Sequence, residues 1–242
     1  GHRRFINGTF DWVYEEEFAN RDGFRWSPDG KQIAYWQLDA SGIRDFLLIN
    51  DTDSLYSFVK PIHYPKAGTT NSAVRVGVVK ASGGSTRWLQ VPGDPRNIYL
   101  ARMEWAGNSS EVALQHLNRQ QNTLTVLLGD AQTGRTAPVF VDRDSAWVDV
   151  VDDWDWLDGG NRFLWLSERD GWLHAWTISR DGKTYVFHIR NGVRFHNGRE
   201  VTAHDFVYSL TRVFREPFLS EGLAAGYLDA VEGLSEFLGG KS

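Results

Sequence analysis

The chain contains no cysteine. Disulfides, thiolate chemistry and cysteine zinc sites are therefore excluded, although the compartment is left undecided. No apolar run approaches the ~20 residues of a membrane-spanning helix. There is no run of Lys or Arg, and the formal net charge is -5, so neither nucleic acid nor an anionic membrane is an expected partner. The opening Gly-His-Arg-Arg-Phe has no Met and no apolar stretch of the kind a signal peptide needs. It reads as an internal starting point, from a fragment or a processed chain. Walker loops, His-Glu-x-x-His pairs and dinucleotide-binding glycine patterns are absent. So is the Gly-x-Ser-x-Gly elbow of a serine hydrolase; Gly83-Gly84-Ser85-Thr86-Arg87 comes nearest and lacks the final Gly. No cofactor is implied.

What is abundant is aromatic. The 242 residues hold 11 Trp and 14 Phe, and aromatic side chains favour strands. Phe24 to Gln37 reads as a hairpin turning at Ser27-Pro28-Asp29-Gly30, with Pro and Gly where a type I turn takes them. Phe46 to Ile49 is a short apolar run consistent with a buried strand. Further hairpins are expected across Asn118 to Asn122 and across Glu168 to Gly171. A strand ending in Trp, a Gly-containing turn and a second strand recur around Trp26, Trp105 and Trp156, at intervals of 79 and 51 residues. Propeller blades repeat every ~40–50 residues, so the second interval is blade-like and the first requires an insertion. Three such units make an open arc, because closure takes at least about four blades. The tryptophans are expected to be core material.

One stretch is polar in an unusual way. Asp11-Trp12-Val13-Tyr14-Glu15-Glu16-Glu17-Phe18 sets three carboxylates side by side. Adjacent like charges repel, so the cluster needs either solvent or a cation. A solvated acidic loop is one reading; a clamp for an ammonium such as a peptide's α-amine, mostly protonated at neutral pH, is the other.

Here the residues carry a resemblance. Asp11 to Phe18, Phe24 to Gly30, Ile33 to Tyr35, His63-Tyr64-Pro65-Lys66-Ala67-Gly68 and Leu166 to Trp172 together resemble the dipeptidyl peptidase IV branch of the prolyl oligopeptidase family, in the family's order. The resemblance implies an N-terminal β-propeller. It also implies that Glu16 and Glu17 bind a substrate's amino terminus. In that family a cooperating Arg lies upstream, before the point where this chain begins, and a serine hydrolase domain follows the propeller, where this chain turns instead to a different kind of sequence. An extracytoplasmic or periplasmic location is the corresponding expectation.

After Asp181-Gly182-Lys183 the texture changes. Thr184 to Arg190 alternates, Asn191-Gly192 is a strong hairpin turn, and Thr202 with Asp205 approaches a capping box for a helix to Phe214. A further helix is expected within Gly222 to Phe237. Tyr185 to Gly198 and Val201 to Leu210 are similar to family 5 extracellular solute-binding proteins of peptide and nickel ABC transporters. His188, His196 and His204 fall on strand, turn and helix, which suits surface or packing histidines better than a metal site.

The expected fold is therefore mainly β. A partial β-propeller of antiparallel blades occupies residues 1–183, and a small α+β fragment, a hairpin plus helices, occupies 184–242. Functionally, three readings stand. The first is a non-catalytic propeller part that recognises peptide N-termini weakly, joined to a partial solute-binding segment by fusion or by an artefact of the sequence. The second is a peptide-binding module using both parts, as in an ABC transport system. The third is an active exopeptidase, for which the serine elbow is missing. The missing hydrolase domain or transporter lobe would be the natural partner.

Overall fold

The computed structural model describes residues 4–152, 154–169, 171–181, 185–186 and 192–213. They fall into two compact units, the first running to Val186.

The first unit is built from antiparallel strands. β1 (Phe5–Asn7) precedes a short helix, α1 (Trp12–Glu16). β2 (Phe24–Trp26), β3 (Gln32–Asp39), β6 (Ala73–Lys80) and β7 (Arg87–Trp88) then form one sheet, with β1 and β2 sharing the same side of β3. β8 (Ile98–Trp105), β9 (Glu111–Asn118), β10 (Thr123–Asp130) and β11 (Thr136–Arg143) form a second sheet as a simple meander. β12 (Trp156–Leu157), β13 (Arg162–Ser167), β14 (His174–Ser179) and β15 (Tyr185–Val186) form a third. The unit's last two residues thus belong to this sheet, paired with β14.

The Trp repeat has a structural meaning. Trp26 pairs with Ile33, Trp105 with Val112 and Trp156 with Phe163, so each Trp faces the residue seven positions on across its turn. The turns form as their residues dictate. The Gly30 N–H donates to the Ser27 carbonyl at 2.8 Å, Gln121 to Asn118 at 3.0 Å and Gly171 to Glu168 at 2.7 Å. The long first interval is explained by an inserted ribbon between β3 and β6. There β4 (Asp45–Asn50) and β5 (Phe58–His63) pair only with each other.

The sheets stack. The middle sheet is covered on both faces: Val112, Ala113, Leu114 and Gln115 are successive residues of β9, and all are fully buried, where a half-exposed strand would alternate. Trp36 of β3 donates its indole N–H to the Leu100 carbonyl at 2.9 Å, and Trp105 donates to the Arg25 carbonyl at 3.1 Å. On the other side Phe140 meets Trp165 edge-on at 5.4 Å, and Trp165 donates to the buried Asp142 at 3.1 Å. The turns of the second and third sheets nearly touch. Gly160 has φ +93°, and a Cβ there would lie 2.4 Å from the Ala106 carbonyl oxygen.

Two expectations about burial are corrected. β4 is a strand, but Phe46, Leu47, Leu48 and Ile49 are exposed, because the β4–β5 ribbon has no neighbouring sheet among the described residues. Trp26, Trp147 and Trp172 are likewise exposed, whereas Trp36, Trp105, Trp154, Trp165 and Trp176 are buried. Trp105 has the first sheet to pack on; no described sheet covers the equivalent face around Trp26.

In the second unit, α2 (Ala203–Val213) begins where the capping box predicts. Asp205 accepts from the Thr202 N–H at 2.8 Å and from its hydroxyl at 3.0 Å, and pairs with Arg199. His196 and His204 are exposed. The Asn191-Gly192 hairpin, most of its first strand, His188 and the helix expected within Gly222 to Phe237 lie outside the described residues.

Candidate functional site

The acidic stretch forms a helix because Asp11 caps it. The Asp11 carboxylate accepts from the Tyr14 N–H at 3.2 Å and its carbonyl accepts from Glu15 at 3.1 Å. The apolar residues Phe10, Val13, Tyr14 and Phe18 are buried. Phe10 stacks on Tyr14, and Phe18 packs against Tyr99 at 5.1 Å. The remaining residues are turned outwards: Glu16 ends the helix, Glu17 is its C-cap, and both are exposed.

Electrostatics make this an uncomfortable place for anions. A helix C-terminus carries partial negative charge and favours cations, yet the last turn of α1 holds no basic residue. Among the described residues, neither Glu16 nor Glu17 forms an ion pair. The Glu17 charge is felt at Tyr99, whose phenol is pushed up by burial, drawn back by the Arg119 cation and raised again by Glu17. The Arg119 guanidinium lies 5.5 Å from the Tyr99 ring. The corner after the carboxylates is strained, with Ala19 at φ +53°, a region that costs a residue with a Cβ about 1–2 kcal/mol.

The turn is docked onto an irregular edge. β8 is the outer strand of its sheet, and its register against β9 slips between Leu100 and Arg102, leaving Ala101 as a bulge. Edge strands carry unpaired backbone groups, and bulges add more. Here side chains take them up. Tyr14 Oη accepts from the Leu100 N–H at 3.1 Å, and Trp36 donates to the Leu100 carbonyl. Asn20 donates to the Ala101 carbonyl at 3.1 Å. Burial holds the Tyr14 phenol far above its ordinary pKa, against the opposing hydrogen bond from Leu100, so it acts here as a neutral acceptor. Arg102 completes the dock: its Nη1 donates to Asn20 Oδ1 at 2.8 Å and its Nε to Asp152 Oδ1 at 2.6 Å.

Two hollows flank this region. One of about 750 Å³ is lined by Trp12, Phe46, Leu48, Ile62, Tyr64, Lys66 and Ala67. Trp12 meets Tyr64 there at 4.3 Å, so the acidic stretch and the Tyr-Pro-Lys-Ala-Gly stretch, separate in sequence, are neighbours in space. The other, about 280 Å³, is bordered by the loop from Trp147 to Asp152 and by Glu168 and Arg169. Fully buried Gln115 holds that loop through two hydrogen bonds to the Val151 backbone, at 2.6 and 3.1 Å. Asn20, Arg102 and Asp152 escaped the sequence reading. They are 82 and 50 residues apart, and no local spacing links them.

Three antiparallel sheets, stacked face to face with an acidic turn docked on an edge strand, define a partial β-propeller. The chain belongs to the dipeptidyl peptidase IV (DPP IV) N-terminal region family, whose model matches residues 1–206. It is 31% identical over 147 residues to the inactive dipeptidyl peptidase 10 of Mus musculus, covering 59% of this chain and 18% of that one. It is 28% identical over 230 residues to dipeptidyl peptidase 4 of Felis catus, covering 86% and 30%. The crystal structure of Porphyromonas gingivalis dipeptidyl peptidase 4 superposes with a TM-score of 0.69 at 29% identity, over 77% of this chain and 26% of that one. The chain thus spans less than a third of the length of each of these relatives.

Proposed function

We propose that this chain is the peptide-recognising, non-catalytic part of a dipeptidyl peptidase IV-like exopeptidase, and that Glu16 and Glu17 receive the ammonium of a peptide's amino terminus. The observation that carries the reading is the placement of these exposed carboxylates at the C-terminal end of α1, whose last turn holds no basic residue, with neither in an ion pair among the described residues. Family membership supports it, and so does the absence of a Gly-x-Ser-x-Gly elbow from the 242 residues. The relatives' names alone do not supply activity, since one of them is called inactive. With two carboxylates and little enclosure, affinity in the millimolar range is expected, about -4 kcal/mol. An extracytoplasmic location belongs to the same reading. Among the described residues no helix is long and apolar enough to cross a membrane.

For residues 184–242 we propose a solute-binding-like segment. What supports this reading is local: an Asn197-Gly198 turn, where the Gly198 N–H donates to the Phe195 carbonyl at 2.8 Å, and a capped start to α2. A peptide-binding role in an ABC transport system is the alternative reading for this part.

The test is an NMR titration with an Xaa-Pro peptide and its N-acetylated twin. Preference for the free amine that disappears in the E16Q/E17Q double variant is the expected result. Equal binding of the two peptides by the parent chain would sink the amine reading.

A further inference from the structure

The acidic turn is held at one corner by a single side chain that also holds something else. Arg102 Nη1 bonds Asn20 Oδ1 at 2.8 Å and the Ala101 carbonyl at 2.8 Å, and Asn20 Nδ2 closes the triangle to that carbonyl at 3.1 Å. The Asn20 backbone N–H donates to the Tyr14 carbonyl at 3.0 Å, closing the end of α1. From its other edge, Arg102 reaches Asp152 with Nε and Nη2, both at 2.6 Å. Arg102 and Asn20 are largely buried, whereas Asp152 is exposed. Only a planar guanidinium presents donors in such opposed directions; a lysine ammonium is a point charge on a flexible stem.

Between the carboxylates and this triangle stands Ala19 in its left-handed conformation. A strained backbone persists only where its surroundings over-determine it. Tyr14 and Asn20 pin the chain before and after the corner, and Arg102 is what pins Asn20 from the sheet side.

We infer that Arg102 is the positioning residue of the acidic turn: it fixes the corner that presents Glu16 and Glu17. The inference rests on the amine reading of those two residues. Asp152 orients the guanidinium from the loop side and is the lesser partner. Without Arg102, Asn20 keeps one bond to the edge strand instead of two, and Ala19 is free to relax, which shifts the carboxylates from the positions the corner gives them.

The test is the ratio of affinities for the free-amine and N-acetylated Xaa-Pro peptides, measured by NMR on the full chain, in the parent and in the R102M, R102K and D152A variants. A purely structural role would weaken both peptides alike and leave the ratio unmoved. R102M is expected to bring the ratio about tenfold closer to one, the weight of one charge-assisted hydrogen bond, with the indole resonances of Trp36 and Trp165 unchanged. R102K should recover part of the preference, and D152A should retain most of it. If R102M does not fold, R102K decides: a ratio equal to that of the parent overturns the inference. A folded R102M with the parent's ratio overturns it too, while leaving the amine reading in place. A parent chain without amine preference removes both.

Discussion

Replacing Tyr14 with Phe removes one oxygen from the middle of the dock and nothing else. That oxygen is the acceptor for the Leu100 N–H, and Leu100 is fully buried. Leu100 sits beside the bulge on an edge strand, so β9 offers this donor no substitute. A buried donor stripped of its partner costs about 1–3 kcal/mol. The ring's own packing against Phe10, Phe18 and Tyr99 is kept, and loss of the hydroxyl's desolvation offsets a little of the penalty. A net destabilisation of about 1–2 kcal/mol follows. In a unit of this size that lowers Tm by roughly 2–8 °C. Urea unfolding followed by tryptophan fluorescence gives the free energy, and hydrogen exchange of the Leu100 amide gives its location. The pH dependence supplies an independent check. Burial raises the folded-state pKa of Tyr14 above its ordinary value of 10.0. The stability contributed by its neutral form is therefore fully present below about pH 10 and is lost as the unfolded chain ionises above it. The difference between parent and Y14F should stay flat from neutrality to about pH 9 and shrink beyond pH 10. Equal stability of the two proteins, with Leu100 equally protected, would refute the idea that this hydroxyl seats the helix.

Gly160→Ala should destabilise the first unit by more than about 1 kcal/mol, through both the positive φ and the collision with the Ala106 carbonyl; a Tm equal to the parent's would show that the turns of the second and third sheets can slide apart. His116, whose pKa is lowered by burial against opposing hydrogen bonds to Pro92 and its own backbone, should make the protein less stable as pH falls below about 6.5, where the unfolded chain takes up a proton that the fold resists. His116→Gln should flatten that decline between about pH 7 and pH 5, and an identical slope would assign it to other groups.

The blades were legible because each is written locally. Trp26, Trp105 and Trp156 stand at one position of a repeated strand-turn-strand, and the partner seven residues on lies within reach of a short window. The insertion was legible as an excess in one interval, but its exposure was not. A run such as Phe46 to Ile49 states that its side chains are apolar and says nothing of whether another sheet is there to cover them. The acidic residues of the candidate site could be named from their own stretch. What holds them could not: Leu100 and Arg102 reach α1 and its corner from β8 through the stacking of the first two sheets, and Asp152 reaches Arg102 from the loop after β11.

The slip at Ala101 has a consequence for how this molecule can drift. The seat of α1 consists of the N–H and carbonyl of Leu100 and the carbonyl of Ala101, groups that every residue except proline supplies. Substitutions at the seat can therefore change its filling without changing its hydrogen bonds. Tyr14, Trp36 and Asn20 carry the other half of each bond in their side chains and have no such freedom. Mutational tolerance across this contact should be lopsided: Leu100 and Ala101 can exchange for side chains of their own size, whereas Tyr14, Trp36, Asn20 and Arg102 cannot be exchanged.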